Sequence, residues 1–373
     1  MGSFWKIWRL GVKELRSLWH DPVMLALIAT SFSLLVYTGA KATRHELRNA
    51  PIAVVDHDHS HLSERLITAF YLPRFKTPER ISSAEMDSGL DLGRYTFVLD
   101  IPQDFERDVR QGRDPELQVN IDATRMSQAY IGAGYIQNIV HDELAEFMRQ
   151  RGKAADPPIR LVPRVVFNPN LEGVWFGGVM EVINQVTLIS IILTGAALIR
   201  EREHGTLEHL MVMPLSPFQV MTAKVWANGL VVLIAAALSL LLVVQGALSV
   251  PIAGSIALFV IGTALHLFST TSIGILLATV VRSMPQLGLL VILVVLPFEI
   301  LSGAITPRES MPVFVQRIML AAPTTHFVSL AQAILYRGAG LDVVWPQFCA
   351  LVAIGAVAFA GALARFRRSV SLA

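Results

Sequence analysis

The segment 225–281 contains one ionisable side chain, His266, and this limits the possible folds more than any other feature of the chain. A helix that crosses the bilayer core needs about 20 apolar residues, because it rises about 1.5 Å per residue through about 30 Å of hydrocarbon. The segment is about twice that long, and its middle carries three residues typical of turns, Gly246, Pro251 and Gly254. It therefore predicts two membrane-spanning helices, over 225–247 and 255–281, joined by a tight hairpin.

Four further apolar runs have a length that can span a membrane, and they cover 23–41, 174–199, 284–305 and 345–364. Backbone groups in hydrocarbon find no water to bond, so each run is predicted to be a helix. The alternation of a membrane barrel, with a period of two residues, is absent. Charged residues make up 16% of the chain, against roughly 25% in soluble domains. The predicted fold class is an α-helical polytopic membrane protein with six transmembrane helices.

Lysine and arginine are concentrated in four places: residues 1–22, the connection 200–224, Arg282 and the tail 365–373. With six spans all four fall on one side, which predicts that both termini lie in the cytoplasm. A cleaved signal peptide is the competing interpretation of the first run. Because the uncharged run 23–40 exceeds the roughly 7–15 residues of a signal-peptide core, an uncleaved first span is expected.

Residues 42–172 mix acidic and basic side chains, contain no spanning run and are predicted to form an external domain. Apolar residues with strand periodicity recur at 52–56, 95–100, 116–122 and 161–167, and helical patterns occur at 60–72, 102–112 and 126–151. Strands and helices alternate, which is typical of an α/β domain. The fold class is thus completed by an inserted external α/β domain.

A cluster of acidic and imidazole side chains follows the first of these strands: Asp56, His57, Asp58, His59 and His61. Both groups are metal ligands, which raises a metal-site hypothesis. The alternative is a polar turn in which Asp58 or Ser60 caps the following helix. Adjacent residues seldom converge on one ion, so capping is preferred and no metal site is predicted, although the sequence leaves open whether the cluster binds anything.

The segment 200–214, between the second and third spans, is dense in charge and then becomes amphipathic. Its apolar residues Leu207, Leu210 and Met211 are spaced as on one face of a helix. A short helix of this kind could dock into a groove on another protein. A solvated loop with an interfacial helix accounts for the pattern equally well.

The residues Glu201-Arg202-Glu203-His204-Gly205-Thr206-Leu207-Glu208, followed by Pro214-Leu215-Ser216-Pro217, resemble the signature of ABC-2 type transporter permeases. The resemblance extends to the order of elements along the chain, and to 283–286 and 323–326. It implies that 201–214 forms a coupling helix held in a cleft of a separate ATPase subunit. The ATPase-coupling positions carried over are Glu201, Arg202, Glu203, His204, Gly205, Thr206, Leu207 and Glu208.

The resemblance is to the drug-exporter-like group of bacterial inner-membrane permeases. It implies short external helices within 307–338, a second permease copy (the same chain or a paralogue) and a periplasmic membrane-fusion adaptor. ATP would bind to the partner, and this chain itself is expected to hold no cofactor. The chain lacks a phosphate-binding loop, since its Gly152-Lys153 pair has neither the preceding glycine nor the following hydroxyl residue. We therefore expect no enzymatic activity, and the net charge of +2 gives no indication of a nucleic-acid partner.

The N-terminal segment 5–19 forms a second basic amphipathic element, which predicts a helix in the headgroup plane of the lipid bilayer. Passive anchoring and contact with the ATPase are both open for it. Within the spans, Glu181 and Glu299 are costly to bury and are candidate translocation-path residues, unless they face water at the interface. His266 beside three hydroxyl residues suggests an intramembrane hydrolase, but packing is the preferred interpretation.

Three classes of function compete. The preferred one is an exporter permease that moves a drug-like compound or lipid. A membrane sensor whose external domain binds a ligand is the alternative, and an intramembrane enzyme is the third class. Co-purification with an ATPase would separate the first class from the other two.

Overall fold

The computed structural model describes residues 3–42, 47, 49–113, 115–150, 160–166, 173–203, 205 and 215–371. In chain order the helices are α1 (Ser3–Trp19), α2 (Pro22–Thr30), α3 (Val36–Ala42), α4 (His61–Ala69), α5 (Ser83–Asp91), α6 (Phe105–Gln111), α7 (Met126–Arg149), α8 (Gly173–Glu203), α9 (Pro217–Leu238), α10 (Ile256–Val280), α11 (Met284–Ile300), α12 (Val313–Met319), α13 (Pro323–Leu335) and α14 (Leu341–Ser371). The strands are β1 (Ile52–Asp56), β2 (Glu79–Arg80), β3 (Phe97–Ile101), β4 (Glu116–Asp122) and β5 (Arg160–Val166).

These elements form two units. Met1–Ala42 and Gly177–Ala373 form the first, which we call the membrane unit, and Thr43–Phe176 form the second, which we call the inserted domain. Two π-helical segments continue helices of the membrane unit: Ser31–Leu35 joins α2 to α3, and Ser239–Ala247 extends α9.

Within the described part of the chain, five helical stretches are long and apolar enough to cross a membrane: Pro22–Lys41, Val174–Glu203, Pro217–Ala247, Ile256–Val280 and Leu341–Arg368. The predicted span 284–305 is the shorter helix α11, with 17 residues. It ends at Ile300 because Pro297 lacks an amide donor and Gly303 adopts a positive φ of 100°. Within 307–338, α12 and α13 meet at 89°. The fold class predicted from the sequence, a polytopic helical membrane protein with a small inserted sheet, is confirmed.

Local capping decides where two of the spans begin. Asp21 caps α2 by accepting a hydrogen bond from the Met24 amide at 3.1 Å, and Pro22 occupies the first turn. Ser216 forms a capping box with Gln219 and precedes Pro217, so α9 begins at 217 rather than near 225. Lys224 therefore lies inside this helix and not at its end.

Small residues let helices of the membrane unit approach closely. A Cβ atom at Gly274 of α10 would lie 2.7 Å from the carbonyl oxygen of Ile191 on α8. A Cβ atom at Gly195 would lie 3.2 Å from the carbonyl oxygen of Gly274. Interfaces between transmembrane helices rely on such small residues, because lipid tails supply no hydrophobic driving force for association. The pair fixes α8 against α10.

The inserted domain contains a five-stranded sheet in the order β2-β1-β3-β4-β5. The pairings are parallel except for β3 with β4. Alternate residues of β1 enter different apolar clusters: Ile52 and Val54 lie in one, Ala53 and Val55 in the other. The strand is thus buried on both faces, as is typical of α/β domains.

Four strands predicted from the sequence match β1, β3, β4 and β5 within two residues at each end. Neither β2 nor α5 was predicted. β2 contains only two charged residues, which are too few to show an alternating pattern.

Candidate functional site

Helix α1 packs against α9 through aromatic rings. The Trp8 and Trp226 rings are stacked, with centroids 5.1 Å apart and planes within 1° of parallel. The Trp226 Nε1–H donates to the carbonyl oxygen of Ile7 at 3.4 Å. Gly11 faces the same indole, and a Cβ atom at this position would lie 2.0 Å from the ring. Glycine is therefore required for this close contact.

Beside this contact lies a group of ions that we call the charge cluster: the largely buried Glu14, Glu201 and Lys224, and the exposed Lys13 at its edge. The Lys224 Nζ lies 3.0 Å from Oε1 of Glu14 and 2.8 Å from Oε2 of Glu201. Lys224 is 1% exposed. The Lys13 Nζ lies 3.6 Å from Oε1 of Glu201. The charge cluster thus joins α1, α9 and the last turn of α8.

Burial raises the pKa of Glu14, while the nearby Lys224 ammonium opposes the rise and the Glu201 carboxylate adds to it. Desolvation disfavours the charged form of a carboxyl group, and an adjacent cation favours it. The ionised state of Glu14 consequently depends on Lys224 remaining beside it.

Arg202 and Glu203, which follow Glu201 in α8, bind the junction between α10 and α11. The Arg202 guanidinium donates to the carbonyl oxygens of Ala278 and Val281, at 3.3 and 2.8 Å. The Glu203 carboxylate accepts a hydrogen bond from the Met284 amide at 3.1 Å. A cation at the end of α10 and an anion at the start of α11 also complement the two helix dipoles. The end of α8 is thereby linked to two more helices.

Arg200, in the same last turn of α8, forms an ion pair with Asp21, which precedes the first span. The pKa of Asp21 is lowered, mainly by the hydrogen bond from the Met24 amide and also by Arg200. The last turn of α8 is therefore tied to α1, the start of α2, α9, and the α10–α11 junction. A displacement at this end of α8 would reach all of them.

The predicted coupling residues are only partly described. Glu201, Arg202 and Glu203 complete α8, and Gly205 follows with a left-handed φ of 67° that ends the helix. His204, Thr206, Leu207 and Glu208 lie outside the described residues. The partnership of Glu14 and Lys224 was not predicted from the sequence. The available signal was a lysine inside a long apolar helix.

The two candidate translocation-path residues are brought near one another. The Glu181 Oε1 of α8 accepts a hydrogen bond from Nε2 of Gln185 at 2.7 Å, and Gly39 of α3 lies against the same carboxylate. Glu299 lies in the last turn of α11, within electrostatic range of Glu181. Glu181 therefore packs against α3, and Glu299 on α11 is close enough to influence it electrostatically.

His266 is fully buried and packs as an aromatic residue. Its ring stacks on Phe327 of α13, with centroids 4.1 Å apart, and its Nε2 is 2.9 Å from the hydroxyl of Thr187. The neighbouring hydroxyls of Ser269 and Thr270 bond backbone carbonyl oxygens instead. This geometry matches a packing residue better than a hydrolase.

In the inserted domain, the acidic and imidazole cluster forms a turn. Asp56 Oδ1 accepts hydrogen bonds from the amides of Asp58 and His59, at 3.1 and 3.0 Å. Ser60 caps α4 through the amide of Ser63. Among the described residues, no group of three or more metal-ligating side chains is placed to hold an ion.

Comparison with known proteins agrees with this architecture. The family model described as "ABC-2 family transporter protein" matches residues 22–364. "Inner membrane transport permease YhhJ" of Escherichia coli (strain K12) is 59% identical over 364 residues, covering 98% of this chain and 97% of the relative. "Probable multidrug ABC transporter permease YbhR" of the same organism is 31% identical over 375 residues, covering 98% and 100%. The resemblance drawn from the residues 201–208 is thereby confirmed, and the chain belongs to the ABC-2 transporter family, as a membrane-spanning permease subunit.

Proposed function

We propose that this permease exports an amphiphilic substrate, a drug-like compound or a lipid, by means of a separate ATPase that binds the segment 201–214. The end of the membrane unit that carries the charge cluster faces the cytoplasm in this proposal. A second permease copy completes the transport path, and a periplasmic adaptor receives the substrate. The multidrug description of the relative YbhR supports the substrate class.

The observation that carries the proposal is the set of contacts at the end of α8. This helix leads directly into the segment 201–214, and its last turn is held by ion pairs and hydrogen bonds from four other elements. Closure of an ATPase dimer would move the segment, and α8 would carry α9 and α11 with it as a nearly rigid group. Such movements of packed helices are a common way to switch a protein between two states.

The acidic pair Glu181 and Glu299 lies on two of the helices that would move, α8 and α11. Movement of this group against the other helices of the membrane unit would carry both carboxylates together and change their surroundings, and thus their attraction for a polar group of the substrate. We therefore place them on the translocation path. Glu181→Gln is expected to change which compounds stimulate ATP hydrolysis while leaving hydrolysis without substrate intact.

The main test uses proteoliposomes that contain the permease and its ATPase, with ATP hydrolysis measured as candidate amphiphiles are added. Arg202→Met removes the contacts with the α10–α11 junction and should abolish the stimulation by substrate. Arg317→Met is the matched control, because Arg317 is exposed on α12. Full stimulation in a correctly assembled Arg202→Met complex would contradict the proposed transmission.

Orientation and direction can be tested separately. Cys349 is the single cysteine, so Cys349→Ser gives a cysteine-free protein. A cysteine introduced by His209→Cys should react with an impermeant maleimide only in inside-out vesicles. ATP-dependent uptake of substrate into the same vesicles is expected for an exporter. Labelling only from the opposite side would remove the route by which an ATPase acts.

A further inference from the structure

A cleft of about 580 Å³ opens between α1, the turn that follows it and the end of α8. It is lined by Lys13, Arg16, Ser17, His20, Asp21 and Arg200. A second cavity, of about 310 Å³, shares Lys13, Ser17 and Arg200 with the cleft and extends past Glu14 and Glu201 to Asn228. The Nδ2 of Asn228 is buried and donates no hydrogen bond to any described residue. A built recess thus continues inward from the cleft.

The cleft carries an excess of positive charge. Lys13, Arg16 and Arg200 line it with one carboxylate, Asp21, which is already bound by Arg200 and the Met24 amide. The Lys13 ammonium also lies 3.6 Å from the Glu201 carboxylate, so Arg16 supplies the cation that no described carboxylate offsets. The side chain of Arg16 is exposed, and among the described residues its guanidinium makes no ion pair or hydrogen bond. A guanidinium without a partner binds a phosphate through two parallel hydrogen bonds.

The position of the cleft along the chain indicates where its ligand comes from. The first span begins at Pro22, which itself lines the cleft. On α1, next to the cleft, Trp19 is 75% exposed, and Trp5 and Trp8 are nearly half exposed. Exposed tryptophans beside a span and a basic amphipathic helix both indicate the headgroup level of a bilayer.

We propose that this cleft binds the phosphate headgroup of an anionic phospholipid. Arg16 and Lys13 contact the phosphate, Ser17 donates a hydrogen bond, and the acyl chains leave the cleft beside Trp19. The excess of basic side chains favours a headgroup with net negative charge over a zwitterionic one, whose ammonium they would repel. Lipid bound here would hold α1 against the end of α8.

The test measures lipid retained by the full-length permease after purification from an equimolar mixture of phosphatidylglycerol and phosphatidylethanolamine, with native mass spectrometry as the readout. The wild type is expected to retain phosphatidylglycerol preferentially. Arg16→Gln removes the charge-assisted bonds and should lower that retention about tenfold. Arg9→Gln is the matched control, because Arg9 lies over the Trp5 ring, outside the cleft, and its loss changes the charge equally.

Equal loss of lipid in the Arg9→Gln and Arg16→Gln proteins would show diffuse attraction to the surface of α1 and overturn the proposal, as would unchanged retention in both. Ser17→Asp is a second variant, which places a negative charge in the cleft and should also release the lipid. Displacement of phosphatidylglycerol by excess inorganic phosphate would instead identify a soluble anion as the ligand. The assay contains no ATPase, so its outcome is independent of the proposed transport function.

Discussion

Lys224→Met tests whether the charge cluster holds the end of α8. The side chain of Lys224 is 2% exposed, and those of Glu14 and Glu201 are each 12% exposed. Methionine has a similar volume and little effect on packing. The substitution therefore leaves two buried carboxylates without their shared cation. Breaking a buried ion pair by removing one partner costs about 3–5 kcal/mol, and the partial exposure of the carboxylates favours the lower end of this range.

The cost should depend on pH in a defined direction. Burial raises the pKa of Glu14 above its ordinary value of 4.5, and in the variant the opposing attraction of Lys224 is lost. A carboxyl group whose pKa is higher in the folded state binds its proton more tightly there. Its contribution to stability is complete below pH 4.5 and is lost as the pH rises through the folded value. The deficit of the variant is thus expected to be smaller at about pH 5 than at about pH 8.

The assay is unfolding of the purified protein in mixed micelles of increasing dodecyl sulfate fraction, followed by circular dichroism, which yields the free energy of unfolding. A triple variant, Glu14→Gln, Glu201→Gln and Lys224→Met, serves as the control. It removes the charges of Glu14, Glu201 and Lys224 together, so most of the lost free energy of unfolding should be recovered. A Lys224→Met deficit below about 1 kcal/mol at both pH values would contradict this role of Lys224, because it would place the ammonium in water-like surroundings.

Two further substitutions test local packing. Gly11→Ala brings a Cβ atom against the Trp226 ring and should cost about 1–3 kcal/mol in the same unfolding assay, while Gly288→Ala, where the added atom meets open space, should be nearly neutral. Ser60→Ala removes the side-chain oxygen that accepts a hydrogen bond from the Ser63 amide and caps α4. It should lower the stability of the inserted domain by about 1 kcal/mol, measured by amide hydrogen exchange in the full-length chain. Unchanged exchange in α4 would exclude the capping role.

The membrane-spanning helices could be predicted because their information is local. The stretch 225–281 contains no Asp, Glu, Lys or Arg. In hydrocarbon such a stretch forms a helix, because a helix satisfies the backbone hydrogen bonds within itself. Span ends were less accurate. The third span was predicted to begin after Lys224, since a lysine normally marks the interface. The helix in fact begins at Pro217, where Ser216 caps it.

The contacts of Lys224 could not be read from the sequence. Glu14 is 210 residues away along the chain, and which of many acidic residues meets this lysine is settled only when α1 and α8 pack beside α9. The same holds for Trp8 on Trp226, which requires Gly11 to face the ring. Sequence periodicity placed Trp8 on a helical face without specifying the surface that covers it.

Sequence alone was sufficient for the fold class, the position of the charged segment 201–208 and the absence of a phosphate-binding loop, because hydrophobicity, charge and short motifs are properties of neighbouring residues. The packed helices were needed to show that the end of α8 is bound by ions and hydrogen bonds from four other elements, and that a basic cleft opens beside it. Ion pairs and cavities arise from side chains distant in sequence, and their energies depend on burial that exists only once the helices have packed.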